Sequence, residues 1–260
     1  MSRSRLAAAV LTLGLAAGSL APSIGGPADA ATAKPLRGKV VVIDAGHQLG
    51  NGRHPQQTSR LVKDGNGGRK ACNTTGTATH GGYPEATFTW GVARRLKIRL
   101  ERLGATVVMT RTANSTRLWG PCVDVRGKIG NQGVRGRHRT ADLKISIHGD
   151  GSTARKARGF HLIIHPTHAP VRTRDLAHRV RAALLREKFV LSTYTGGKTR
   201  IVKRRDLATI NDSRMPTVMA ELGNMRNHAD AKVMRSARGQ VRYARALEAA
   251  VRAQLTATKK

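Results

Sequence analysis

The chain has 260 residues, 47 Lys+Arg against 15 Asp+Glu and a net charge of +32, with 39% hydrophobic and only 3% aromatic residues. Such a balance implies an anionic partner or surface. It does not imply nucleic acid: the basic residues are spread along the whole chain, aromatics for base stacking are scarce, and no RRM, zinc-finger or helix-turn-helix pattern occurs.

The N-terminus joins Arg3 and Arg5 to an apolar run from Leu6 to Leu20 and then to a small-residue stretch with an A-x-A site, Ala28-Asp29-Ala30. Residues 1–30 are read as a secretory signal peptide. The run is shorter than the ~20 residues that a membrane-crossing helix needs. No second run of that kind follows, so no transmembrane segment is expected. Residues 31–38 are read as a linker and 39–257 as one domain. The mature protein is expected to be secreted, to the periplasm or cell wall, as a monomer, and to meet anionic wall polymers before it meets nucleic acid.

Apolar runs at 39–44, 106–110, 143–148 and 217–222 read as strands buried on both faces. Residues 160–165 give a fifth strand and 206–210, "DLATI", a weaker sixth. The clearest helix spans 85–103, where Phe88, Val92, Leu96, Leu100 and Leu103 recur every three or four residues and Gly104 stops the pattern. Further helices are predicted at about 123–138, 171–188 and 239–255. Strands alternating with helices specify an α/β fold, here a twisted, mostly parallel sheet of about six strands with helices on both faces. Residues 50–82 have neither period. A Gly-, Asn- and Thr-rich loop of that length suggests a lid or a binding loop. Cys72 and Cys122, the only cysteines of an exported chain, are expected to form a disulfide that ties it down. The closed loop of about 50 residues corresponds to roughly 4 kcal/mol in the chain-entropy model.

Ligands in open α/β sheets bind beyond the carboxyl ends of the strands, and His47 and His148 stand at two such ends. Glu85 lies on the apolar stripe of its helix and so points inward. Two imidazoles and a carboxylate with an open fourth position are the ligand set of a catalytic zinc. Pattern alone leaves other readings open. The histidines could be strand-end hydrogen bonders, and Glu85 an acid at the positive end of a helix dipole. Glu221 follows Val218 and Met219 in an apolar strand; such an acid is either a general base or one half of a salt bridge. His161, His165 and His168 form a second cluster, read as a surface edge with no part in metal binding.

In order, "VVVIDAGH", Glu85 at a helix start, "RTANSTRL…VRGKIGN", "ADLKISIHGDG" and "PTVMAELGNMRNHAD" resemble the zinc-dependent N-acetylmuramoyl-L-alanine amidases of the amidase-3 type, most closely the secreted actinobacterial members. The resemblance runs from about Lys39 to Leu255. It implies one Zn2+ per chain held by His47, Glu85 and His148, Glu221 as the catalytic residue, and cleavage of the amide between N-acetylmuramic acid and L-alanine in peptidoglycan or muropeptides. Ala45 and Gln48 depart from the family's D-P-G-H-G-G and should relax the first turn. Members under partner control carry an extra helix between the second histidine and the last glutamate. The stretch between His148 and Glu221 leaves no room for one, so no helical plug is expected and any restraint comes from residues 50–82. The competing classes are a non-enzymatic cationic wall-binding protein and a zinc carboxypeptidase acting on stem peptides.

Overall fold

The computed structural model describes residues 34–132, 140–167 and 171–257. The segment read as a signal peptide, part of the helix read at 123–138, and His168 lie outside the described residues. Six strands form the main sheet: β1 (Val40–Ala45), β4 (Thr106–Met109), β5 (Leu143–Asp150), β6 (His161–Ile164), β7 (Ile201–Lys203) and β8 (Thr217–Asn224). Their spatial order is β4-β1-β5-β8-β6-β7. The first four run parallel, and β6 is antiparallel to β8 but parallel to β7. β2 (Leu61–Lys63) and β3 (Arg69–Ala71) make a separate hairpin inside the long loop.

The pleat sends alternate residues to opposite faces, and the two faces differ sharply in chemistry. Val41, Ile43, Leu143, Ile145, Ile147, Leu162, Val218 and Ala220 point to one side and form the main core with helices α2 (Glu85–Arg102), α4 (Val171–Arg186) and α7 (Ala237–Thr256). The α2 stripe Phe88, Val92, Leu96 and Leu100 is fully buried there. Each such side chain contributes roughly 1.5–3 kcal/mol of burial. The other face carries Asp44, Lys144, Ser146, His148 and Glu221, covered by the short helices α3 (Val123–Lys128) and α5 (Ala208–Asn211) and by small apolar clusters, one of them Ile163, Ile210 and Met219. Helices thus cover both faces, as the alternation of strands and helices predicts.

Four expectations need correction. Residues 206–210 are not a strand: Leu207 caps α5, and the sixth strand is the half-exposed β7, whose short Ile-Val pair is flanked by basic residues. An additional helix, α6 (His228–Arg235), precedes α7, its first turn held by the Asn227 side chain, which accepts from the Ala229 and Asp230 amides. Residues 34–38 are not a linker, since Leu36 is fully buried in the main core and its amide donates to the Leu103 carbonyl. His161 and His165 are not on a surface edge either. Both are buried, and β7 covers the side of β6 that would otherwise be open.

Candidate metal centre and its cavity

The polar face of the sheet builds the site. β5 delivers His148 and β8 delivers Glu221, which are directly paired across the two strands. His47 follows the end of β1, and α2 opens with Glu85, whose amide donates to the Thr77 carbonyl. His47, Glu85 and His148 each offer one ligand atom, all within 4.8 Å of one another. His148 Nδ1 lies 2.9 Å and His47 Nε2 3.7 Å from Glu85 Oε1. Ligands about 2.0–2.1 Å from one tetrahedral ion sit roughly 3.3 Å apart, so these spacings suit a single zinc-sized cation.

Outer partners fix His47 and Glu85. Asn73 Nδ2 donates to the Pro121 carbonyl and Asn73 Oδ1 accepts from the Thr74 amide, which settles the orientation of the amide group. Oδ1 therefore accepts from His47 Nδ1, at 3.0 Å, and leaves Nε2 as the free lone pair. The Glu85 carboxylate accepts from the Thr77 amide on one oxygen and from the Gly149 amide on the other. Arg126 Nη2 stands 3.1 Å from His148 Nε2, and its guanidinium grips Asp44 through Nε and Nη2 at 2.7 and 2.8 Å. The Cys72–Cys122 disulfide is present. It joins the residue before Asn73 to the cap of the helix that carries Arg126, so one crosslink ties together the outer partners of both imidazoles.

Backbone approaches the centre so closely that only glycine fits. A Cβ on Gly76, which has φ +73°, would lie 2.6 Å from Glu85 Oε2 and 2.7 Å from His47 Cδ2. One on Gly46 would lie only 2.0 Å from His148 Cε1. The donor set, its spacing and this glycine cradle all fit a metal ion.

Charge states agree. Burial first, then the neighbouring His148 and Arg126, pull His47 down to about 4 against the attraction of Glu85, so the imidazole is neutral at pH 7, the form that a metal ligand takes. Burial works to raise the Glu85 pKa, but His47, His148 and the Thr77 amide hold it at about 2. Glu221 is the opposite case. Burial, Glu85 and Asp150 push its carboxyl well above the ordinary value against the pull of Arg204, and its Oε2 has no hydrogen-bond partner among the described residues.

The centre opens into a cavity of about 240 Å3 whose walls include His47, His148, Glu221, Lys70 and Arg204, with Leu207–Thr209 across one side. A family model, N-acetylmuramoyl-L-alanine amidase (Amidase_3), matches residues 41–253. The chain belongs to this family of peptidoglycan hydrolases. An N-acetylmuramoyl-L-alanine amidase of Mycobacterium tuberculosis is 36% identical over 222 residues, 84% of this chain and 86% of that protein. The solved amidase Ami1 of Mycobacterium smegmatis superposes with a TM-score of 0.76 at 32% identity, over 85% of this chain and 98% of that one. The Mycobacterium abscessus enzyme gives 0.74 at 35% identity, over 85% and 100%.

All four residues singled out in the sequence lie inside the matched family segment; His47, His148 and Glu221 line the cavity, and Glu85 stands against the two histidines. Sequence reasoning missed Asn73, Asp44 and Arg126. Asp44 did leave a signal, an acid in an otherwise apolar strand. Gln48 does not relax the first turn of the amidase domain. It is buried, donates to the Ala113 carbonyl and accepts from the Leu49 and Ser115 amides, so it pins the turn to the segment after β4.

Proposed function

We propose that the chain is a secreted, zinc-dependent hydrolase that cuts the amide between N-acetylmuramic acid and the L-alanine of a stem peptide, with His47, Glu85 and His148 holding the ion and Glu221 moving the proton. The observation that carries this reading is the buried Glu221 Oε2, unpartnered among the described residues, on the wall of the cavity that His47 and His148 of the ligand group also line. A zinc ion there supplies Lewis acidity for the amide carbonyl and lowers the pKa of water toward ~7. Glu221 accepts the proton of the attacking water at its free oxygen and passes it to the departing amine of L-alanine, so one residue serves first as base and then as acid. His47, kept neutral and oriented by Asn73, and Glu85, pinned by two amides, need no rearrangement to bind. Export rests on the N-terminal pattern, and no helix among the described residues is long and apolar enough to cross a membrane. The surplus of basic side chains suits anionic wall polymers.

The test is zinc content together with mass spectrometry of peptidoglycan digests. The chain should carry one zinc and release whole stem peptides, and Glu221→Gln should keep the zinc and lose about 10²–10⁴ in turnover. Full activity in the zinc-loaded variant, or release of terminal amino acids instead of stems, overturns the assignment.

A further inference from the structure

The substrate of such a reaction has two unlike halves, a long hydroxyl-rich glycan and a short peptide that bears carboxylates, and the surroundings of the metal centre are also unlike on its two sides. One side is the cavity just described. Its cationic walls are Lys70, from β3, and Arg204, just past β7. The third lining cation, Arg126, is already committed to Asp44. On the far side of Gly76 lies a larger depression of about 770 Å3, lined by Gly52, Thr75, Thr77, Ser152 and Thr153 among others. Its lining mixes these hydroxyls and peptide groups with apolar Leu49, Ala78, Pro84 and Ala86, and it carries one cation, Arg226, and one acid, Asp150. A polymer that continues in both directions needs an open trough, whereas a short chain can end in a pocket.

Arg204 is not idle. Its Nε and Nη2 hold the two carboxylate oxygens of Asp206 at 2.9 and 2.5 Å, and Lys70 Nζ donates to the Asp206 carbonyl at 2.5 Å. Both side chains of the Arg204–Asp206 pair are substantially exposed, 43% and 60%. An exposed pair of this kind is weak and exchangeable. A two-pronged guanidinium is also the side chain best matched to a free carboxylate.

We propose that Arg204 and Lys70 form the seat for a carboxylate of the stem peptide, that Asp206 occupies the Arg204 fork until that carboxylate displaces it, and that the larger, open trough beyond Gly76 takes the glycan. The inference rests on the amidase reading and adds the direction in which the substrate lies. Arg204 and Lys70 then set substrate preference, and Asp206 is an internal competitor for the same fork.

Muropeptides from a wall digest, and the same muropeptides with their carboxyls converted to amides by carbodiimide and ammonia, separate this role from others. Wild type should process the untreated set with a kcat/KM about tenfold higher, chiefly through KM. Arg204→Gln and Lys70→Gln should each bring the two sets to within about twofold. Asp206→Asn should lower KM for the untreated set and leave KM for the amidated set unchanged. A purely electrostatic effect of Arg204 on Glu221 would slow both sets equally and leave their ratio intact. A ratio that is near one in wild type, or that survives in Arg204→Gln and Lys70→Gln, overturns the proposal. Failure to release any stem peptide from whole peptidoglycan overturns the amidase reading instead.

Discussion

Asp44→Asn is the substitution whose consequences the structure states most fully. Asp44 has no solvent exposure and accepts four hydrogen bonds: from Arg126 Nε and Nη2, from Thr110 Oγ1 at 2.8 Å and from Ser146 Oγ at 2.6 Å. Asparagine keeps one acceptor oxygen, turns two N–H groups toward donors and leaves the buried Arg126 guanidinium without a counter-charge. Breaking a buried pair by removing one partner costs about 3–5 kcal/mol, a large share of the ~5–15 kcal/mol that holds a domain together. At this chain length 1 kcal/mol moves Tm by about 2–4 °C, so the midpoint should fall by roughly 6–20 °C. Thermal and urea unfolding read this directly. Arg126 also abuts His148, so zinc content should fall in the same variant. The pH dependence has a definite sign. Burial alone would raise the Asp44 pKa, but Arg126, helped by His148 and Ser146, overrides it and holds the carboxyl well below the ordinary range. A group depressed in the folded state contributes stability above its unfolded pKa of about 3.9 and loses it as pH falls. The gap between wild type and Asp44→Asn should therefore be full above about pH 5 and shrink below pH 4. The double variant Asp44→Leu/Arg126→Met, which removes both charges, should be far less destabilised than Asp44→Asn. An Asp44→Asn protein that unfolds within about 1 kcal/mol of wild type at pH 7 would refute the claim that this pair organises the polar face.

Gly76→Ala puts a methyl group against Glu85 and His47 at a positive φ, so the folded variant should lose most of its zinc by elemental analysis while its circular dichroism stays close to wild type; full occupancy contradicts the cradle. Cys72→Ser/Cys122→Ser should lower stability by about 2–4 kcal/mol in denaturant titrations. Because the crosslink joins the Asn73 and Arg126 segments, it should also weaken zinc retention against a chelator, and unchanged retention would confine the disulfide to a stabilising role.

What the sequence discloses about the centre follows from what is expensive. Glu85 on an apolar helical stripe and Glu221 in an apolar strand are conspicuous because a buried carboxylate costs free energy unless something holds it there. Asn73 is silent, since a polar residue in a loop without periodicity costs nothing to place, and only the fold reveals that its amide orients His47. β7 escaped for a related reason: an edge strand exposes one side, so "IVK" among arginines lacks the continuous apolar run that marked the inner strands. "DLATI" misled because Leu207 and Ile210, three apart, suit a helical turn as well as a short strand, and burial of Ile210 against Ile163 and Met219 decides for the turn. His161 and His165 were misplaced although their spacing already put them on the same side of β6 as Ile163, the side that Ile210 of α5 covers. A single strand cannot show what the register does. Pairing aligns Asp44 with Ser146, and it sets Glu221 between His148 on one neighbour and His161 on the other. Polar residues that look like scattered impurities in four separate hydrophobic runs thus become one continuous polar surface across the sheet. The candidate metal centre lies at the end of that surface, where the ladder holds the backbone on both sides and the first residues beyond the strands supply loops, a helix start and an entrance.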